Sequence, residues 1–217
     1  MDQSVCPDKS PLSSRQHEVL SAVLDLMVEE GDRFSMAAVA RRASCSKETL
    51  YKWFGDRDGL LTATVRWQAA KVAMPPLPQT QLTRDAFAAA LEAFAANWLN
   101  VITGDVSVAL NRLAIAHAGS GKSGLGRIVL ENGPFEMARR LEPVFLAGRD
   151  AGLVEFDSVE TAFRTFFGLV VADSQTRALL GDTSRPKPDQ IGRWAAHAVA
   201  RFLQVYGAAA RPAGKSN

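Results

Sequence analysis

Cysteine is nearly absent. Of 217 residues only Cys6 and Cys45 carry a thiol, and neither has a CxxC partner or a histidine at metal-ligand spacing, which excludes a disulfide-stapled scaffold. Long apolar runs are missing as well. No stretch approaches the roughly 18 residues that span a bilayer, and the longest candidate, Phe166 to Ala172, reads as a core segment. The opening MDQSVCPDKS has no apolar region of the kind a signal peptide needs. The expectation is therefore a cytoplasmic protein with no membrane partner. Charge of either sign is not in excess: 25 Lys and Arg against 23 Asp and Glu leave +2, so any surface for a polyanion has to be local. Histidine is sparse, and His17, His117 and His197 stand singly, without a second ligand at metal spacing. No serine, cysteine or lysine comes with a base and an orienting group, so neither an enzyme nor a cofactor is expected.

What is present is an ordinary globular composition, 47% hydrophobic and 22% charged, which excludes disordered and collagen-like chains. At about 150 residues per domain the length allows one large domain or two modest ones. Helical periodicity runs almost throughout, and no segment alternates with period two, so the fold class predicted is all-α. The ends, residues 1–12 and 207–217, are polar or small-residue tails. A first helix over about Ser14–Glu30 carries the stripe Val19, Leu20, Val23, Leu24 and Met27, and Gly31 stops it. Ser35 and Ser46 each cap a short helix, and Asp56 caps a longer one running to about Ala73. The MPPLP cluster at 74–78 ends that helix. It divides the chain into a first domain, residues 13–74, and a second, residues 79–206.

In the second domain, Phe87, Leu91, Phe94, Trp98 and Ile102 recur at steps of three or four and predict a long helix over about Thr83–Thr103. Another follows over about Val106–Ala118. From Leu125 to Arg149 the pattern stays helical despite Gly133, Pro134 and Pro143, so a kink or break is expected there. Two further helices are heavily apolar, one with Val159, Phe163, Phe166, Phe167 and Val170, the other with Ile191, Trp194, Ala198, Phe202 and Val205. They carry more bulky apolar surface than a monomer's exterior usually tolerates.

The informative stretch is Phe34 to Leu61, FSMAAVARRASCSKETLYKWFGDRDGLL. Two short helices separated by a tight turn make a helix-turn-helix, whose second helix can lie in the major groove of DNA. Across residues 41–53 the bases Arg41, Arg42, Lys47 and Lys52 face one acid, Glu48, so the local patch is positive on a nearly neutral chain. Val39, Ala40, Leu50 and Phe54 are placed to lock the two helices together. That leaves Lys47, Glu48, Thr49, Tyr51 and Trp53 for the outer face and its margins.

This stretch resembles the amino-terminal domain of the TetR/AcrR family of bacterial transcription regulators. The resemblance is carried by Val39–Ala40, Ala43-Ser44-Cys45-Ser46, Lys47-Glu48, Thr49-Leu50-Tyr51, Phe54, Arg57 and Leu60–Leu61, and it covers about the first third of the chain. Three positions depart from the pattern: Ser44 stands where glycine is usual and strains the turn, Glu48 replaces a small residue, and Trp53 replaces a polar one. The resemblance implies that Ser35, Met36, Ser46, Lys47, Tyr51, Lys52 and Arg57 touch phosphates or groove edges, with Glu48, Thr49 and Trp53 as base readers. It also implies a ligand-responsive regulator, a repressor, bound to double-stranded operator DNA as a homodimer and released by a small apolar effector. For the effector pocket the candidates are Phe94, Trp98, His117, Phe135, Phe163 and Phe166. For the dimer interface they are Phe163, Phe167, Val170, Trp194, Ala198 and Phe202, on the last two helices.

One rival reading starts from Gly119-Ser120-Gly121-Lys122-Ser123, which echoes the end of a phosphate-binding loop and would suit a small helical nucleotide-binding enzyme. A full loop of that kind needs a glycine at position 116, which is alanine, and a buried strand in front of it. The alternative is a plain connector between helices.

Overall fold

The computed structural model describes residues 12–30, 34–74, 76–78, 81–118, 124–184 and 186–208. Among them the regular elements are helices: α1 (Ser14–Glu30), α2 (Met36–Arg42), α3 (Lys47–Phe54), α4 (Arg57–Ala70), α5 (Arg84–Ile102), α6 (Asp105–His117), α7 (Leu125–Asn132), α8 (Pro134–Asp150), α9 (Val159–Val171), α10 (Ser174–Leu179) and α11 (Pro188–Tyr206). The one extended pairing is an isolated bridge between Val154 and Gly207. No single helix among the described residues is long and apolar enough to cross a membrane.

Side-chain caps set five of the starts, three of them at the serines and the aspartate that the sequence predicts. Ser35 accepts from the Ala38 N–H, Ser46 from Thr49, Asp56 from Gly59, Thr83 from Ala86 and Ser158 from Thr161, each satisfying a backbone donor that the first turn would otherwise leave unpaired. The break foreseen between Leu125 and Arg149 falls at Gly133–Pro134, where α7 stops and proline opens α8. Pro143, by contrast, sits inside α8 without ending it. The short α10 carries no apolar periodicity of its own, and the sequence did not mark it.

Two cores organise the chain, and they do not follow its covalent division. The first gathers α1 to α4 around Val19, Leu20, Val23, Leu50, Leu60 and Leu61, but it also takes in Leu110, Leu113 and Ala114 of α6 and Leu125 and Ile128 of α7. The second is aromatic. Phe145 stacks on Phe202 with centroids 5.1 Å apart and meets Phe166 edge-on at 5.7 Å, while Phe94 tilts against Phe166 at 6.3 Å. All four rings are fully buried, and each such side chain contributes about 1.5–3 kcal/mol through burial. The proline cluster thus ends α4 in sequence, whereas α6 and α7 join the amino-terminal helices in space.

Candidate nucleic-acid interface and interior cavity

The helix-turn-helix is built from the inside out. Leu50 is the buried residue of α3, Trp53 and Phe54 pack partly against the same core, and the rest of this eight-residue helix is left outward or marginal. Ser46, Lys47, Glu48, Tyr51 and Lys52 are exposed, Tyr51 by half. Thr49 is partly buried and its Oγ1 lies 3.1 Å from the Ser46 hydroxyl. Trp53 leans on the first core and meets Phe54 edge-on, which puts it at the margin of the exposed face. Asp56 fixes the next helix, and Gly59 lets α4 approach closely: a Cβ there would stand 1.9 Å from the Phe54 carbonyl oxygen.

The turn itself is strained and held. Ser44 adopts φ 48°, a left-handed conformation that costs an L-residue about 1–2 kcal/mol, as the departure from glycine predicts. Arg15 of α1 donates to the carbonyls of both Ala43 and Ser44, so the turn is clamped from outside.

The local charge differs from the bare count. Arg42 is paired with Glu29 of α1, which holds the Glu29 carboxyl below its ordinary range and directs that guanidinium away from α3. Glu48 is also held below the usual carboxylate range, first by its own backbone N–H and then by the Ser46 hydroxyl and the Lys47 charge. Its carboxylate is therefore ionised and engaged with the first turn of its helix. Arg57 places its guanidinium over the Phe34 ring at 4.6 Å, on the flank of the interface. Two expectations need adjusting. Met36 is packed in the first core, its side chain 9% exposed, because it occupies the inward face of α2; it is a core residue and not a surface contact. Ser35 is exposed, yet its hydroxyl is already committed as the α2 cap.

Between the two cores lies a cavity of about 300 Å³. Its wall takes Val65, Gln68 and Ala69 from α4 and Val72 just after it, Trp98, Val101 and Ile102 from α5, Ser107, Leu110 and Asn111 from α6, and residues of α7 to α10 including Asn132, Met137 and Phe167. This corrects the aromatic list. Trp98 lines the cavity; Phe94 and Phe166 are wholly inside the second core, Phe163 stacks behind Trp98 at 6.0 Å, Phe135 is 53% exposed, and His117, at the end of α6, is not on the wall. Phe167, expected at a dimer interface, is on the wall instead. Gln68 escaped the sequence reading, although a signal existed: it interrupts the inner stripe of α4 three residues after Val65 and four before Val72.

The dimer list also changes. Val170, Ala198 and Phe202 are buried against their own protomer, and Phe163 nearly so, because α9 and α11 pack on each other and on α5 through these faces. The outward sides of the two helices carry Arg164, Gly168, Gly192, Arg193, His197 and Arg201, with Trp194 half-buried beside them.

A larger cleft of about 470 Å³ lies between α6, α10 and the segment before α11. Its two arginines are already engaged, Arg112 with the carbonyls of Ala178 and Leu179, Arg177 with Asp182. The Gly119 to Ser123 segment lies outside the described residues; the chain before it is helix α6, not a strand.

Three side-chain bonds hold α4 and the residues just after it to the helices around the cavity. Arg140 of α8 donates to the carbonyls of Ala69 and Val72 at 3.2 and 2.6 Å, satisfying the end of the helix. Arg66 donates to Asn132 Oδ1 at 2.8 Å, tying α4 to α7.

Known proteins share this arrangement. The family described as "Bacterial regulatory proteins, tetR family" matches residues 19–64, and that described as "AefR-like transcriptional repressor, C-terminal domain" matches residues 89–208. The crystal structure of a TetR transcriptional regulator from Agrobacterium tumefaciens is 43% identical with a TM-score of 0.80, covering 91% of this chain and 96% of that one. The Flavonoid-responsive Regulator FrrA is 25% identical with a TM-score of 0.67, over 89% of this chain and 97% of its own. An uncharacterized HTH-type transcriptional regulator of Mycobacterium tuberculosis is 39% identical over 70 residues, 32% of this chain and 35% of that protein; the match spans about a third of the curated relative's length.

Proposed function

The chain belongs to the TetR family of transcriptional regulators and carries that family's DNA-binding helix-turn-helix, and from this premise we propose that it is a homodimeric repressor released from a palindromic operator by a small apolar effector. The observation that carries the reading is α4, which begins against α3 and ends in the wall of the interior cavity. A ligand there touches the same rigid rod that orients the recognition helix.

Lys47, Tyr51 and Lys52 supply contacts to phosphates; Ser46, like Ser35, has its hydroxyl committed as a cap, so what it adds is an exposed helix N-terminus, where the dipole favours an anion. Glu48 and Thr49 face the base edges, the ionised Glu48 accepting from a cytosine amino group. One helix-turn-helix reads too few base pairs for specificity, so two copies related by a twofold axis bind two half-sites. The outward faces of α9 and α11 form the interface as a four-helix bundle; Gly168 and Gly192 leave open space above their backbones, which permits close approach.

Induction requires an effector that prefers the conformation unable to bind DNA. Filling the cavity displaces α4 relative to α7, where the Arg66–Asn132 bond and the Arg140 clamp now hold it, and changes the separation of the two recognition helices. The repressor description of the matching carboxy-terminal family and the flavonoid response named for one structural relative support this sense of regulation.

The test is a footprint of the full-length protein on the DNA flanking its own gene, with salt varied. The expected result is symmetric protection of two half-sites about one helical turn, 34–36 Å, or a multiple of it apart, weakening steeply with salt. Salt-insensitive or unpaired protection overturns the reading.

A further inference from the structure

The cavity wall carries no ionisable side chain, and one of its residues, Gln68, holds a buried polar atom without a partner. Gln68 is 8% exposed; its Nε2 donates to the Ser107 hydroxyl at 3.3 Å, while its Oε1 has no hydrogen-bond partner. Asn132 on the same wall has both ends engaged, donating to Ile128 and accepting from Arg66, and Asn111 donates to the Ser107 carbonyl. A buried acceptor left unpaired is unfavourable in the empty protein, and that cost is relieved when a donor arrives. Opposite stand Trp98 and Phe167, their ring centroids 5.3 Å apart, flat apolar surfaces suited to an aromatic ring.

We propose that the ligand of this cavity is an uncharged one- or two-ring aromatic compound bearing a hydroxyl, which donates to Gln68 Oε1 while its rings lie against Trp98 and Phe167. The proposal rests on reading the cavity as the effector site and adds the ligand's chemical class. Three features set the class. With no cation or anion on the wall, a charged ligand would be desolvated without a counter-charge. The volume of about 300 Å³ is at the lower limit for small-molecule pockets, about 300–1,000 Å³, and so suits one or two rings. The unpaired acceptor selects a donor over an ether or a hydrocarbon of the same shape. Since Gln68 belongs to α4, the selecting hydrogen bond forms directly on the helix that reaches the DNA-binding face.

The experiment is calorimetric titration of the full-length protein with 2-naphthol, 2-methoxynaphthalene and 2-naphthoate. The expected result is that 2-naphthol binds about tenfold more tightly than its methyl ether, the discrimination one satisfied hydrogen bond provides, and that 2-naphthoate does not bind. In Gln68→Leu both neutral probes should bind with similar affinity, and the Tm should change little, because leucine removes the unpaired oxygen at similar volume while giving up the long 3.3 Å bond to Ser107. Gln68→Met gives the same reading should the leucine variant not fold. Val101→Trp, which fills the cavity from a partly exposed position, should abolish binding of both neutral probes. If no probe binds, or if Val101→Trp leaves binding intact, the cavity reading falls and takes the proposal with it. If the neutral probes bind in the cavity but with equal affinity, if the ether binds better, or if Gln68→Leu retains the preference, the donor assignment alone is overturned. Tight binding of 2-naphthoate overturns the neutral class.

Discussion

The two ends of α4 lie in opposite kinds of surroundings. At its amino-terminal end, α3 turns almost all of its side chains outward and is held by Leu50, a cap and a clamped turn; its chemistry is on the surface. At its carboxy-terminal end, the second core buries Phe94, Phe145, Phe166 and Phe202 completely, and the chemistry is an amide and two ring faces bordering a void. An outward-facing helix can change its residues without altering its packing, so its side chains are available for recognition. An interior must first fill space, and a binding wall there uses the same residue types as the core behind it.

The largest test of that contrast is Phe145→Ala. Removing a fully buried ring stacked between Phe202 and Phe166 should lower stability by about 3–5 kcal/mol, read as the urea midpoint and slope. A loss below about 1 kcal/mol would mean that the second core is loosely packed and its residues are free for another role.

The counterpart on the surface is Lys47→Ala. Operator affinity should fall about tenfold, with the salt slope shallower by about one phosphate contact, while the unfolding midpoint and the dimer are unchanged. An unaltered salt slope would remove Lys47 from the phosphate contacts, and dissociation into monomers would show that α3 serves assembly.

Ser44→Gly sharpens the picture of the clamped turn. Relief of about 1–2 kcal/mol of left-handed strain is partly offset by the greater freedom that glycine has in the unfolded chain, about 0.5–1 kcal/mol. The net expectation is a small rise in stability, measured by thermal unfolding at constant operator affinity. A destabilised variant would show that Arg15 and the Ser44 carbonyl depend on the serine side chain as well.

The smallest effect concerns Asp182, beside the polar cleft. The Ser184 hydroxyl and backbone N–H, together with the Arg177 guanidinium, hold its carboxyl down to about 2 from an ordinary 3.8. A folded value below the unfolded one gives stability that is full above 3.8 and lost as pH falls toward 2. The Tm gap between the native protein and Asp182→Asn should therefore be constant at neutral pH and close over that acid interval. A gap that persists at pH 2 would point to packing and not to charge.

The legible parts of the molecule are those governed by local rules. Ser35, Ser46, Asp56, Thr83 and Ser158 cap helices because their side-chain oxygens reach the backbone two or three residues on, and Gly133–Pro134 breaks the helix that the apolar pattern would otherwise continue. The exposed members of α3 could be assigned because the spacing of Leu50 and Phe54 assigns the inner face by default. Met36 was misplaced for a related reason: one turn of a seven-residue helix offers too little periodicity to tell its inward side. Aromatic spacing in the second half did not separate pocket from core, because Phe94 and Phe166, which pack inside, and Trp98, which borders the cavity, follow the same helical spacing. Val170, Ala198 and Phe202 failed as interface markers because an apolar stripe indicates burial without saying against what.

Sequence alone determined the all-helical class, the start of most helices, the break between α7 and α8 and the exposed face of α3, since each depends on side chains a few residues apart. Tertiary structure decided that α6 and α7 join the core of the amino-terminal helices, that Trp98 and Phe167 border the cavity, and that Gln68 is left there with an unpaired oxygen. These depend on which distant segments exclude water from one another, and separation along the chain does not encode that distance.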